Sequence, residues 1–150
     1  MAQPAVPSIV EGLTAGQREA VEKLYRGVAG EFDLLDEAVT PNWSDIPAAP
    51  GQAPGPDGVK PQFAKFHQVF QDVSVTIHEV VGANGRAAVR AEIRASFTGE
   101  WMGVVGTGRE CVIPIHEFHH FDGDRIATSW HMEDWLGWLR QVGTTGFTIS

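Results

Sequence analysis

The hydrophobic period of this chain changes at Asp72 and does not change back until Trp135. Upstream, Val21, Leu24, Tyr25 and Val28 recur at i, i+3, i+4 and i+7, the spacing of one helical face. Downstream, Val73, Val75 and Ile77 alternate with Ser74, Thr76 and His78, the spacing of a strand with one buried side. Helices first and strands afterwards is an α+β order and argues against a parallel α/β sheet, which needs a crossover between successive strands. A strongly bent, mostly antiparallel sheet built this way has an apolar face that only the leading helices can cover. The expectation is an α+β domain with the N-terminal helices packed on the sheet.

Local signals divide the chain further. Thr14 and Gln17 fit a capping box ahead of the first helix. Gly30 interrupts it, and a second helical patch with Phe32, Leu35, Ala38 and Val39 runs up to Pro41, followed by a short extended piece, Trp43 to Ile46. Residues 47–56 hold four prolines and two glycines, the composition of a surface loop acting as a lid or crossing. Asp57 is expected to cap a third helix carrying Val59, Phe63, Phe66, Val69 and Phe70, with Pro61 near its first turn. Asn84-Gly85 marks a hairpin into a returning strand over 86–97. Gly99, Gly103, Gly106 and Gly108 mark an irregular connection. A strand over 109–121 turns at Asp122-Gly123-Asp124 and pairs with one from Arg125 to about Asp134, and Trp135, Leu136, Leu139 and Val142 form a last short amphipathic turn or helix closed by Gly143. The whole reads as one domain over residues 1–150, with 1–12 a flexible N-terminus and 144–150 a tail.

Composition narrows the partners. With 11 basic and 19 acidic residues the net charge is 11 − 19 = −8, and no run of Lys or Arg supplies the positive field that nucleic acid or an anionic membrane requires. No stretch approaches the ~18 apolar residues of a membrane span, and the start lacks a signal-peptide pattern, so a cytoplasmic protein is expected. Cys111 is the single cysteine and reads as a small core hydrophobe.

His116-Glu117-Phe118-His119-His120 spells the H-E-x-x-H of a zinc protease, but that chemistry needs a helix. On a strand His116 and His120 stand about 13 Å apart and Glu117 points to the other face, so no metal is expected. A turn centred on residue 124 instead pairs positions whose numbers sum to 248. Glu117 then faces His131, His119 faces Ser129 and Ile115 faces Glu133, placing Glu117, His119, Ser129, His131 and Glu133 on one side. His116, Phe118, Trp130 and Met132 fall on the other. A carboxylate and an imidazole on adjacent strands suit acid–base work, while a solvated polar face is the plainer alternative. Gly103, Gly106 and Gly108 lack dinucleotide-loop spacing, and no serine sits in a nucleophile elbow. Of five tryptophans, Trp43, Trp101 and Trp135 lie near strand ends, where they could rim a cavity.

Several segments carry a family resemblance: Gly55-Pro56-Asp57-Gly58-Val59-Lys60 after the Pro-rich loop, Phe97-Thr98-Gly99-Glu100-Trp101-Met102-Gly103 with Thr107-Gly108-Arg109, and Phe118 to Ile126 leading to Trp130-His131. From about Val21 to Gly143 the chain resembles the SnoaL-like polyketide (ester) cyclases, which are similar to the nuclear-transport-factor-like α+β cones. The resemblance implies a cone-shaped barrel, its strongly bent, mostly antiparallel sheet enclosing a pocket with the N-terminal helices, no cofactor, and an acidic residue near the end of the last strand that closes a polyketide ring by intramolecular aldol chemistry. Aligned on the Asp122–Ile126 turn and Trp130, His131 stands where that carboxylate is expected, with Glu117 on the partner strand. Asp45 keeps the family's frequent Asp, with Ile46 where a His often follows, and Phe97 stands where many relatives have His.

The expectation is therefore a cyclase or isomerase acting on a small apolar carbonyl compound. Neutral His131 would take a proton beside the carbonyl, Glu117 would orient the imidazole, and Asp45 or His119 would polarise the oxygen. Tyr25, Phe63, Phe66, Phe70 and Trp135 would form the apolar wall, with Trp43, Trp101, Ser129 and Glu133 also against the substrate. Alternatives are a noncatalytic ligand-binding or dimerisation module of the same fold, and an epoxide-hydrolase-like enzyme. The apolar outer face of Phe118, Trp130 and Met132 predicts a homodimer.

Overall fold

A computed structural model of the chain describes residues 12–143. The expected flexible N-terminus, up to residue 11, and the expected tail over 144–150 lie outside the described residues.

Helix α1 spans Ala15–Val28. Its capping box forms as expected: Thr14 Oγ1 accepts from the Gln17 amide at 3.0 Å, and Gln17 Oε1 accepts from the Thr14 amide at 3.0 Å. The same residues reach across the fold. Thr14 Oγ1 donates to Asp124 Oδ1 at 2.6 Å and Gln17 Nε2 donates to the Gly123 carbonyl at 3.0 Å, so the start of α1 is clamped to a turn far along the chain. One face of α1 buries Ala20, Val21, Leu24 and Tyr25.

The second helical patch is shorter than expected. A 3-10 turn at Phe32–Leu34 and the one-turn helix α2, Leu35–Ala38, give way to strand β1 at Val39–Ile46. Pro41 lies within β1 because this strand pairs only with one neighbour, and the ladder is interrupted between Val39 and Ser44, where an amide is not needed. Helix α3 spans Pro56–Val69 with Gly55 at its cap, so Asp57 sits in the first turn and does not cap the helix; Phe70 already belongs to the next strand. Gly58 is there for a close approach: a Cβ on it would overlap the Ala53 backbone, so the glycine lets the Pro-rich loop fold flat against α3.

Strands β2 (Phe70–Ala83) and β3 (Arg86–Phe97) form the predicted hairpin, with Asn84 and Gly85 at φ 52° and 69°, the turn geometry that matches strand twist. The glycine-marked connection holds two short strands, β4 (Glu100–Trp101) and β5 (Val104–Val105). Strand β6 (Arg109–Asp122) turns into β7 (Arg125–Glu133), and α4 (Trp135–Val142) closes the chain at Gly143.

The large sheet runs β1-β7-β6-β3-β2, antiparallel except for the β1–β7 pair. It is an open curved sheet and not a closed barrel, though the cone shape holds. Register shifts in β2 beside Asp72, which lies at φ 53°, and near His78, with another at the end of β6, supply the bend. Odd residues of β3 from Ala87 to Phe97 are buried under the helices. Phe70, Phe97 and Trp138 close one end of the core, and Cys111 is buried in it as expected. No helix among the described residues is long and apolar enough to cross a membrane.

Candidate active site

At the site the β6–β7 register is the expected one, Glu117 opposite His131, His119 opposite Ser129, Ile115 opposite Glu133, but the turn alone does not set it: the turn pairs Asp122 with Arg125, one residue off, and the register shift between His120 and Phe121 restores the pairing. In parallel β1, Asp45 pairs with Ser129. The odd positions of both long strands face the helices, and the space left between is a partly open cavity of about 170 Å³. That is comparable to the ~150 Å³ apolar cavity that takes up benzene. Of the expected site residues, Trp43, Asp45, Phe63, Phe66, Trp101, Glu117, Ser129, His131, Glu133 and Trp135 line it.

Tyr25, Phe70 and His119 do not. Phe70 is fully buried in the aromatic end of the core, stacked between Phe66 and Phe97. Tyr25 and His119 lie behind the wall, where they hold the groups that face the cavity, so His119 is not placed to polarise a substrate oxygen. The lining also includes Leu24, Val28, Gln62, Ile93 and Ile115, unassigned from sequence. Leu24 and Val28 carry the same i, i+4 signal as Val21, and Ile93 and Ile115 the strand alternation, so periodicity marked them as inward without separating cavity from core. Gln62 carried no signal. The H-E-x-x-H letters fall on β6, an extended strand, as the flanking residues predicted.

His131 has acceptors on both ring nitrogens. Nδ1–H donates to Glu133 Oε1 at 2.6 Å and Nε2–H to the Pro47 carbonyl at 2.8 Å, with Asp45 Oδ1 at 3.6 Å from Nε2. Burial alone would depress this imidazole, but Glu133, Asp45 and the Pro47 carbonyl outweigh it and raise it to about 9. Two expectations are thereby corrected. The imidazole is a cation at neutral pH and no free base, and the carboxylate that orients it is Glu133, two residues along the same strand, in place of Glu117. Asp45 is raised by burial, and its Oδ2 accepts from Gln52 Nε2 at 2.9 Å. Gln52 and Pro47 both belong to the Pro-rich loop, whose Gly55 amide also donates to the Trp43 carbonyl at 2.8 Å, so that loop is tied over this side of the site.

Glu117 is held from the other side, by a helix, and only feels the charges of that cluster. Its side chain is 12% exposed, and its Oε2 accepts from the Tyr25 hydroxyl at 2.5 Å. Burial raises its carboxyl to about 7, against the pull of Tyr25 and His131. Tyr25 itself is pushed well above its usual range by burial and by Glu117, so it remains a donor. His119 is depressed to about 3 by burial and is neutral. An apolar chamber thus presents a carboxyl able to take or give a proton near neutrality, with an imidazolium across the strand pair.

The fold and this chamber define an α+β cone with an acid–base row on its sheet. Solved structures of the same fold include TsrD from Streptomyces laurentii, with a TM-score of 0.78 at 20% identity over 87% of this chain and 97% of that one. IdmH from Streptomyces antibioticus gives a TM-score of 0.73 at 23% identity over 85% and 99%. A SnoaL-like polyketide cyclase from Agrobacterium tumefaciens gives 0.71 at 20% over 85% and 98%. At such identities the likeness shows the fold alone. No curated protein matches the sequence. The family model for SnoaL-like polyketide cyclases matches residues 18–142, and the chain belongs to that family.

Proposed function

We propose that the protein is a cofactor-independent cyclase or isomerase of intramolecular aldol type, acting on an apolar carbonyl compound. The observation that carries this reading is Glu117, a carboxyl in the wall of an apolar cavity, held by Tyr25 and raised to about 7. An acid–base group is most effective when its pKa lies near the working pH. Ionised Glu117 removes the proton beside the substrate carbonyl, and the electron pair moves onto the oxygen. The enolate carbon attacks a second carbonyl of the same molecule, and the alkoxide formed takes a proton back from Glu117. No proton is gained or lost. The His131 imidazolium supplies positive charge against the developing oxyanion, which counts for more in a chamber poor in water. Phe63, Phe66, Trp101 and Trp135 exclude water and favour the folded-back substrate.

The test is turnover of polyketide-like esters and 1,3-diketones. Glu117→Gln should lower kcat by roughly 10²–10⁴-fold, the usual worth of a general base. His131→Ala should also lower it. Unchanged turnover in both variants would remove the reading, and a parent protein that binds these compounds without converting them would be a noncatalytic binding module.

A further inference from the structure

Behind the cavity wall four hydrogen bonds run in series between two groups that both reach the cavity. Trp43 Nε1 lies 3.0 Å from Ser129 Oγ, Ser129 Oγ lies 2.8 Å from His119 Nδ1, His119 Nε2 lies 3.0 Å from Tyr25 Oη, and Tyr25 Oη lies 2.5 Å from Glu117 Oε2. Trp43, Ser129 and Tyr25 are each 2% exposed and His119 is 0% exposed, so water does not break the series.

Chemistry fixes every hydrogen in it. An ionised carboxylate only accepts, so Tyr25 gives its one proton to Glu117. The Tyr25–His119 bond must then run from Nε2–H to Oη. A neutral imidazole has a single N–H, so Nδ1 is bare and accepts from the Ser129 hydroxyl. Indole only donates, so Trp43 fills a lone pair on Ser129 and leaves the serine proton aimed at His119. All donors point one way, from the cavity at Ser129 toward Glu117. The Nε2 atom also lies 3.4 Å from Glu117 Oε2, in keeping with a proton on that nitrogen.

We propose that Ser129, His119 and Tyr25 form a proton relay by which Glu117 deprotonates a substrate hydroxyl lying against Ser129, the substrate class being an enolic or hydroxylated carbonyl compound. This rests on Glu117 as the acid–base group. In the step the substrate O–H bond breaks and its proton goes to Ser129 Oγ. The Ser129 proton passes to His119 Nδ1, the proton on Nε2 to Tyr25 Oη, and the Tyr25 proton to Glu117 Oε2. The substrate is left an oxyanion and the carboxylate becomes neutral. The series now points the other way, with the Ser129 hydroxyl aimed at the substrate oxygen, ready to return a proton after the carbon–carbon bond has formed. Ser129 is the catalytic residue of the relay; His119 and Tyr25 act through it.

The relay has a signature that needs no substrate: when Glu117 takes up its proton through the series, on Oε2, His119 changes tautomer. Glu117 is faced by Tyr25 from α1, His119 on its own strand, His131 and Glu133 from β7 and Asp45 from β1. Nitrogen-15 NMR of the imidazoles from pH 9 to pH 5 should show His119 neutral throughout, its proton moving from Nε2 to Nδ1, and should show no such change in Glu117→Gln. A His119 that stays protonated on Nε2 over the whole range overturns the relay. With enolic benzoylacetone as the probe, ketonisation should slow at least 10-fold in Ser129→Ala and in Tyr25→Phe, with Ser129→Thr restoring it. The parent should show a curved dependence on deuterium content, as several protons move together. A linear dependence or an indifferent Ser129→Ala overturns the relay. Loss of rate in Glu117→Gln with no tautomer change in the parent defeats the relay but leaves the acid–base reading, whereas a parent that shows the tautomer change and converts nothing defeats the acid–base reading and leaves only the hydrogen-bond series.

Discussion

His131 and Glu117 occupy opposite positions on paired strands, yet each is governed by a different neighbour. That division sets the pH behaviour: kcat/KM should rise through about 7 as Glu117 ionises and fall above about 9 as His131 loses its proton. In Glu133→Gln the alkaline limb should move down toward the ordinary imidazole value, which a pH profile would read directly. Stability carries the same information. An acid whose folded pKa exceeds its unfolded one is protonated in the fold where the unfolded chain is already ionised, so between about 4.5 and 7 each rise in pH costs the folded state. Glu117→Gln should therefore stabilise the protein on the order of 2–3 kcal/mol at pH 8 and hardly at pH 4.5, measured by denaturant unfolding at both. Alternation along β6 and β7 was enough to read which residues share the inner face. It could not read which acceptor each imidazole nitrogen meets, because that depends on the Pro47 carbonyl and on Tyr25, which reach the row from other elements.

The elements meet through contacts that no local pattern announces. The capping box of α1 was legible in Thr14 and Gln17; their second bonds, to Asp124 and Gly123, were not. Those bonds set where the helix lies along the strand. Thr14 to Tyr25 rises about 17 Å in a helix, and Gly123 to Glu117 runs about 20 Å in a strand, so anchoring the two starts together brings Tyr25 beside Glu117. Thr14→Ala should cost roughly 1 kcal/mol as a lost cap and should also slow turnover, since the helix it releases carries the donor to Glu117. Normal turnover in a destabilised Thr14→Ala would separate the cap from the site. At α3 the cap expected from Asp57 is taken by Gly55, since the loop must press its backbone against the first turn, a demand for a missing side chain that reads in sequence like any other glycine.

At the scale of the molecule, the order of helices and strands was legible from the change of period at Asp72, and the curvature was not, because it comes from single extra residues such as Asp72 itself. The convex side leaves Phe118 61%, Met132 72% and Trp130 38% exposed, side by side across β6 and β7. We expect two copies to cover these faces, giving a dimer by size exclusion at low micromolar concentration that Phe118→Ser weakens; a clean monomer would dismiss it. The acid–base row and this outer patch are woven from one ribbon, odd numbers inside and even numbers outside over 113–120 and 128–133. One residue inserted into β6 ahead of Ile115 would turn Glu117 out to water and drive Phe118 into the chamber. A substitution along this hairpin alters one position on one face, whereas a slip of a single residue exchanges the two faces at once.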